Sequence, residues 1–170
     1  MKLDSFKPAI VYTIYIASTP EKVWQALTTA EFSRKYFSGL AVEVDLKVGG
    51  AFVVRQPDGS VHMSGEVIAC DPPKRLTMTF NVNWTALIEK LGPTLVTYEI
   101  EPAGDVVRLT LIQSHDRPIS DDILSGGRSG WPAILSSLKS LLETGDALVI
   151  KMEPPQRMLD ALKKMGIATP

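Results

Sequence analysis

The apolar positions of this chain follow two periods, and the change between them divides it into parts. Residues 10–16, IVYTIYI, are β-branched and aromatic and predict a strand. In STPEKVWQALT, which follows, Val23, Trp24 and Leu27 share a face at helical spacing. Ser18 or Thr19 is placed to cap that helix, and Pro20 suits its first turn. TAEFSRKYF predicts a second short helix with Phe32, Tyr36 and Phe37 as its apolar residues. The period then drops to two. Strands are predicted over 41–46, 51–56, 61–70, 74–84, 94–101 and 105–115, with VGG, PDG, DPPK and PAGD as the turns between them. NWTALIEKLGP fits either a strand end with a loop or a short helical turn.

Alternation sorts the side chains onto faces. Over 74–84, Leu76, Met78, Phe80, Val82 and Trp84 lie on one side, and Thr77, Thr79, Asn81 and Asn83 on the other. Over 105–115, Val107, Leu109 and Leu111 share a face that continues to Gln113 and His115. One apolar face and one largely polar face describe an antiparallel sheet covered on one side. GGRSGWPAILSSLKSLLETG, 126–145, supplies the cover: Trp131, Ile134, Leu135, Leu138, Leu141 and Leu142 form a helical stripe, and Gly145 stands where a helix would stop. The order is strand, two helices, a run of strands and a long helix, which is an α+β domain.

Composition narrows the rest. The chain has 170 residues, 45% of them apolar, and a net charge of -1. One domain over 1–146 and a tail over 147–170 are expected, the tail with a short helix from about 155 to 165. Met158, Leu159 and Leu162 in it need a surface to pack against, either the domain or another chain. No basic stripe suggests nucleic acid, and no apolar run reaches a membrane span or a signal peptide, so a cytoplasmic protein is expected. Cys70 is the single cysteine, and His62 and His115 stand far apart, which offers neither a disulfide nor a zinc site. The glycines at 126–130 with Arg128 read as a flexible loop that lets Trp131 enter the interior. They lack the lysine and hydroxyl that end a phosphate-binding loop.

Three segments carry a resemblance: IYIASTPEKVWQALT near the start, GEVIACDPPKRLTMTF in the middle and GWPAILSSLKSLLETG near the end. In this order, over roughly 8–146, the chain resembles the START-like, SRPBCC superfamily, and within it the domain named after the activator of the 90-kDa heat-shock protein ATPase. The resemblance implies a helix-grip fold, a curved antiparallel sheet wrapped around a long C-terminal helix with two short helices after the first strand. It also implies a cavity between sheet and helix, with Phe32 and Tyr36 near its mouth. Many relatives carry a tryptophan after the first helix, where this chain has EFSRKYFSG.

A ligand site of this kind is mostly apolar, with a few polar groups for orientation. The candidates are Phe32, Tyr36, Met63, Met78, Phe80, Trp84, Tyr98, Trp131 and Leu135 for contact, and Gln113 and His115 to orient a polar group. The leading expectation is a binding domain for a small apolar or aromatic molecule, with no cofactor, metal or catalytic residue assigned. The alternatives are a protein-interaction module, chaperone-linked or self-associating, with the 155–165 segment as its exposed apolar patch, and an enzyme such as a cyclase or hydrolase. His115 has no nucleophile or second acid identifiable beside it, and His62 and Glu66 fall on the polar face and read as solvated.

Overall fold

The first strand starts earlier than its β-branched run: in the computed structural model, which describes residues 1–168, β1 is Lys7–Ile16. Helix α1, Pro20–Thr28, is capped by Thr19, whose hydroxyl accepts from the Lys22 N–H at 3.4 Å, with Pro20 at its first position. Ser18, the other hydroxyl suited to that cap, is buried without a partner. Helix α2 is Ala30–Tyr36. The strands follow as β2 Ala41–Val44, β3 Ala51–Arg55, β4 Val61–Asp71, β5 Arg75–Thr79 and β6 Asn81–Val82. Helix α3 is Thr85–Leu91, which resolves the ambiguous NWTALIEKLGP as helical, with Gly92 ending it at φ 74°. β7 Thr94–Ala103, β8 Val106–His115, α4 Asp121–Thr144 and α5 Gln156–Lys164 complete the order.

All strand pairs are antiparallel, in the order β1-β8-β7-β5-β4-β3-β2, with β6 beside β4. The sheet holds α4 against its apolar face, where Trp131, Ile134, Leu135, Leu138 and Leu141 meet Leu76, Met78, Val96, Ile100, Leu109 and Leu111 in one core. The far end of α4 is tied to the end of β1. Lys139 Nζ donates to the Tyr15 carbonyl at 2.6 Å, and Glu143 accepts from the Ala17 N–H at 2.8 Å. On the outer face the threonines are less exposed than alternation alone suggests. Thr77 bonds Thr97 at 3.0 Å and Thr13 bonds Thr110 at 3.1 Å, each across a strand pair. His62, expected to be solvated, is half-buried.

Two expectations are corrected. The predicted strand over 74–84 breaks at Phe80, because β4 changes partner there: Val67 to Asp71 pair with β5, while Met63 and Ser64 pair with β6. Gly65 sits at the change. The Thr79 carbonyl comes so close that a Cβ on residue 65 would overlap it, and the Glu66 N–H donates to Thr79 Oγ1 at 2.8 Å. The second correction concerns 126–130. These residues are not a loop, because α4 already begins at Asp121 under a Ser120 cap, and the glycines lie inside the helix. At Gly126 and Gly127 the role is close approach, whereas Gly130 faces open space. A Cβ at Gly126 would overlap Met158 of α5, and one at Gly127 would fall 2.7 Å from Ile10 and 2.8 Å from Gln113 Oε1.

The tail packs on its own domain. Leu162, 1% exposed, joins Ile123 and Ile167 in a second cluster with Met158, Trp84 and Leu87, which α3, α4 and α5 enclose together. The apolar residues of 155–165 therefore form no free patch. The exposed apolar residues of the tail are instead Leu148, Val149, Ile150 and Met152, in the segment between α4 and α5. Among the described residues, no helix is long and apolar enough to cross a membrane.

Candidate functional site

Between α1, α2, the sheet and α4 lies a small enclosed cavity. Tyr36, Phe80, Tyr98 and Leu135, all singled out in the sequence, line it. So do Leu27, Phe37, Val42, Phe52 and Ile134, which are not among the candidates for it. Alternation over 41–46 and 51–56 carried a signal for Val42 and Phe52, but pattern alone does not show which faces of distant strands meet. The space left inside is about 10 Å³, room for one water at most. Two phenols supply its polar groups. The Tyr36 hydroxyl donates to the Ala26 carbonyl at 3.0 Å, whereas the Tyr98 hydroxyl has no hydrogen-bond partner among the described residues. Burial pushes the Tyr36 phenol well above its usual range, with Tyr98 adding to the shift, and burial raises Tyr98 as well. Both are neutral hydroxyls at any ordinary pH.

A second, open groove of about 130 Å³ lies outside the first, between α2, α4 and residues 148–152. Tyr36 and Ile134 line both spaces and form the partition between them. Lys35, Ser38, Ala133 and Ser137 complete the groove's fixed walls.

Trp131 stands beside the cavity without lining it. Its ring meets Phe80 at 5.4 Å between centroids, and Phe80 in turn meets Phe52 at 5.4 Å. Its Nε1–H donates to Gln113 Oε1 at 2.7 Å, and Gln113 Nε2 donates to His115 Nε2 at 2.9 Å. That direction makes His115 Nε2 an acceptor and places the ring proton on Nδ1, which is buried without a partner. Gln113 and His115 therefore hold Trp131 in place from within the sheet and do not face the cavity. The remaining candidates sit elsewhere. Met78 is fully buried in the core beneath β5, Phe32 and Met63 pack at the core's margin, and Lys35 Nζ lies 5.9 Å from the Phe32 ring centre. Trp84 belongs to the second cluster, since the break at Phe80 ends the alternation that would have carried it inward.

Burial pushes the His115 imidazole below its ordinary value, against a smaller opposing pull from Asp116. Below a pH of about 6.5 the unfolded chain then binds a proton that the folded chain resists. Stability contributed by neutral His115 is complete above that pH and is lost as the pH falls toward the lowered folded value. His62 is shifted down by burial too and acts in the same direction. We expect the melting temperature to fall between pH 7 and pH 5, and His115→Gln to flatten that slope more than His62→Gln does. Equal slopes in wild type and His115→Gln would show that His115 is protonated without cost.

Among the described residues, no group of three or more His, Cys, Asp or Glu side chains is gathered to hold a metal ion. The family model described as Activator of Hsp90 ATPase homolog 1-like protein matches residues 17–143. Protein MLL2253 from Mesorhizobium loti is a similar solved structure at 28% identity and a TM-score of 0.62, covering 78% of this chain and 96% of that one. The Aha1 dimer from Colwellia psychrerythraea is similar at 22% identity and a TM-score of 0.60, covering 80% of this chain and 96% of that one. An HSP90 activator from Plasmodium falciparum is similar at 23% identity and a TM-score of 0.57, covering 74% and 88%. No curated protein matches the chain.

Proposed function

The chain belongs to the activator of Hsp90 ATPase homolog 1-like family, and from that footing we propose that it binds a small apolar or aromatic molecule between the sheet and α4. One observation carries this reading: an aromatic-lined cavity between the sheet and α4, with Tyr98 in its wall and its hydroxyl making no hydrogen bond among the described residues. The Tyr98 hydroxyl keeps a hydrogen bond to make, since a phenol both donates and accepts and this one bonds no described protein group. A ligand atom, or a water in its absence, meets that need. Phe52 and Phe80 offer ring faces to the body of the ligand, and Tyr98 offers one hydrogen bond to orient it. At about 10 Å³ the site is closed, and it widens by movement at the Tyr36 and Ile134 partition.

Tyr98→Phe separates function from fold. It removes one oxygen and keeps the ring. We expect the melting temperature to hold or rise, and affinity for a bound ligand to fall about tenfold or less, the range for one net hydrogen bond. A loss of stability without any loss of affinity would make Tyr98 a structural residue and sink the reading. The ligand itself is sought by native mass spectrometry after incubation with cell extract, where a stoichiometric small adduct is the expected species.

A second reading, contact with a chaperone or with another copy of the chain, is favoured by the exposed run Leu148 to Met152. The Plasmodium falciparum and Colwellia psychrerythraea structures bear names of that kind. The same spectra read it, because a dimer or a protein adduct is then the species seen in place of the small adduct.

A further inference from the structure

We infer that the outer groove is the second half of the same site, and that its occupant is a small aromatic or short aliphatic carboxylate. The acid group lies at Lys35 and the apolar end points at Tyr36 and Ile134. This rests on the binding reading above and adds the ligand's charge, its orientation and its route in.

The two spaces share a wall. Whatever moves Tyr36 and Ile134 aside joins the closed cavity to the groove. The groove's volume of about 130 Å³ suits a single ring or a short chain, since a cavity of roughly 150 Å³ takes up benzene. Its charge is one-sided. Among the described residues, Lys35 is the one charged residue lining it, no carboxylate stands with it there, and Lys35 forms no ion pair. A cationic ligand would meet Lys35 as a like charge. A phosphate would find one cation and no cluster of backbone donors, where such groups are usually gripped by several. A carboxylate needs no more than one ammonium and a neighbouring hydroxyl, and Ser38 lines the same groove.

The remaining wall is built to move. Residues 148–152 cross the groove as a strap without helix or strand. Each end is anchored: α4 finishes at Gly145 with its N–H on the Leu141 carbonyl at 2.9 Å, and α5 is fixed through buried Leu162. Between them, residues 147–154 make no backbone–backbone hydrogen bond among the described residues. The bond that holds the strap across the groove comes from the Ser137 hydroxyl to the Leu148 carbonyl, at 2.9 Å. Val149 is fully exposed, and Leu148, Ile150 and Met152 are covered only in part, so the strap's burial is incomplete where it lies. A segment pinned at both ends and held by one hydroxyl opens without unfolding either helix. A ligand beneath it would complete the apolar contact that Leu148 and Ile150 make only in part.

The experiment compares phenylacetate with its neutral isostere phenylacetamide by NMR titration of the full chain, in wild type, Lys35→Met and Ser137→Ala. Methionine keeps the length of the lysine stem and removes the ammonium, together with its contact over the Phe32 ring. Wild type should favour the acid over the amide, by up to about fivefold, the ceiling for one exposed charge pair. Lys35→Met should abolish that preference and leave amide binding unchanged, and Ser137→Ala should speed ligand exchange. Equal binding of acid and amide, indifferent to Lys35→Met, would overturn this inference and leave the apolar site standing. Failure of both compounds to bind wild type and Ser137→Ala would overturn the site itself.

Discussion

Trp131→Ala should lower the melting temperature by roughly 6–20 °C, the span that a loss of about 3–5 kcal/mol produces in a domain of this size. Three separate contacts are lost at once. The indole is 5% exposed, so its deletion empties space in the middle of the core. The Phe80 ring loses the partner it meets at 5.4 Å. Gln113 Oε1 loses the donor that stood at 2.7 Å and is left facing a void. Trp131→Phe divides these terms: it keeps most of the packing and removes the N–H, so about 1–3 kcal/mol of the loss should remain. Melting of Trp131→Ala within a degree of wild type would mean that the indole lines open space and the relay to His115 supports nothing. Equal losses for Ala and Phe would assign the whole effect to the hydrogen bond.

How far the fold was legible follows from what repeats locally. The α4 stripe from Trp131 to Leu141, the Thr19 and Pro20 start of α1 and the hairpin turns are statements about neighbours three or four positions apart, and the sequence displays them directly. Gly126 and Gly127 show the opposite case. Read locally, glycines before a helix make a loop. In the molecule they lie inside α4, and they are glycines because Met158 and Gln113 need the room, which no local pattern shows. Trp84 failed for a related reason. Alternation was extended through Phe80, and only the partner change on β4 reveals that the strand stops there.

The site was legible in part for the same physical cause. Tyr36, Phe80, Tyr98 and Leu135 were found because large apolar residues on an inward face point somewhere enclosed. Which of them meet across the cavity depends on sheet curvature and on the seating of α2, and neither has a local signature. Gln113 and His115 were correctly placed inward by parity, yet their hydrogen bonds point at Trp131 and at each other. In the cavity wall, the hydroxyl that makes no hydrogen bond among the described residues is on Tyr98. Counting aromatic residues does not distinguish a bonded phenol from an unbonded one. The strap has no signal of its own, since the sequence places Leu148 to Met152 only within the tail over 147–170.

Gly65→Ala should cost about 3 kcal/mol, at the upper end for overpacking, and should damage the site more than most core substitutions do. The added methyl would occupy the place of the Thr79 carbonyl, and a backbone atom has no rotamer by which to retreat. Either β4 or the Thr79 to Asn81 crossing must shift. The crossing is held on one side by the Glu66 N–H on Thr79 Oγ1 at 2.8 Å and on the other by the Phe80 N–H on the Thr94 carbonyl at 2.8 Å. Phe80 lies between those bonds, so any shift of the crossing moves the ring that lines the cavity and meets both Phe52 and Trp131. Two readouts follow. The melting temperature should fall, and NMR signals of Phe52, Phe80 and Trp131 should move together while those of the second cluster around Leu162 stay in place. A variant as stable as wild type would mean that the two backbones can separate freely at residue 65. The glycine would then not be what turns Phe80 into the cavity, and the break between β5 and β6 would need another cause.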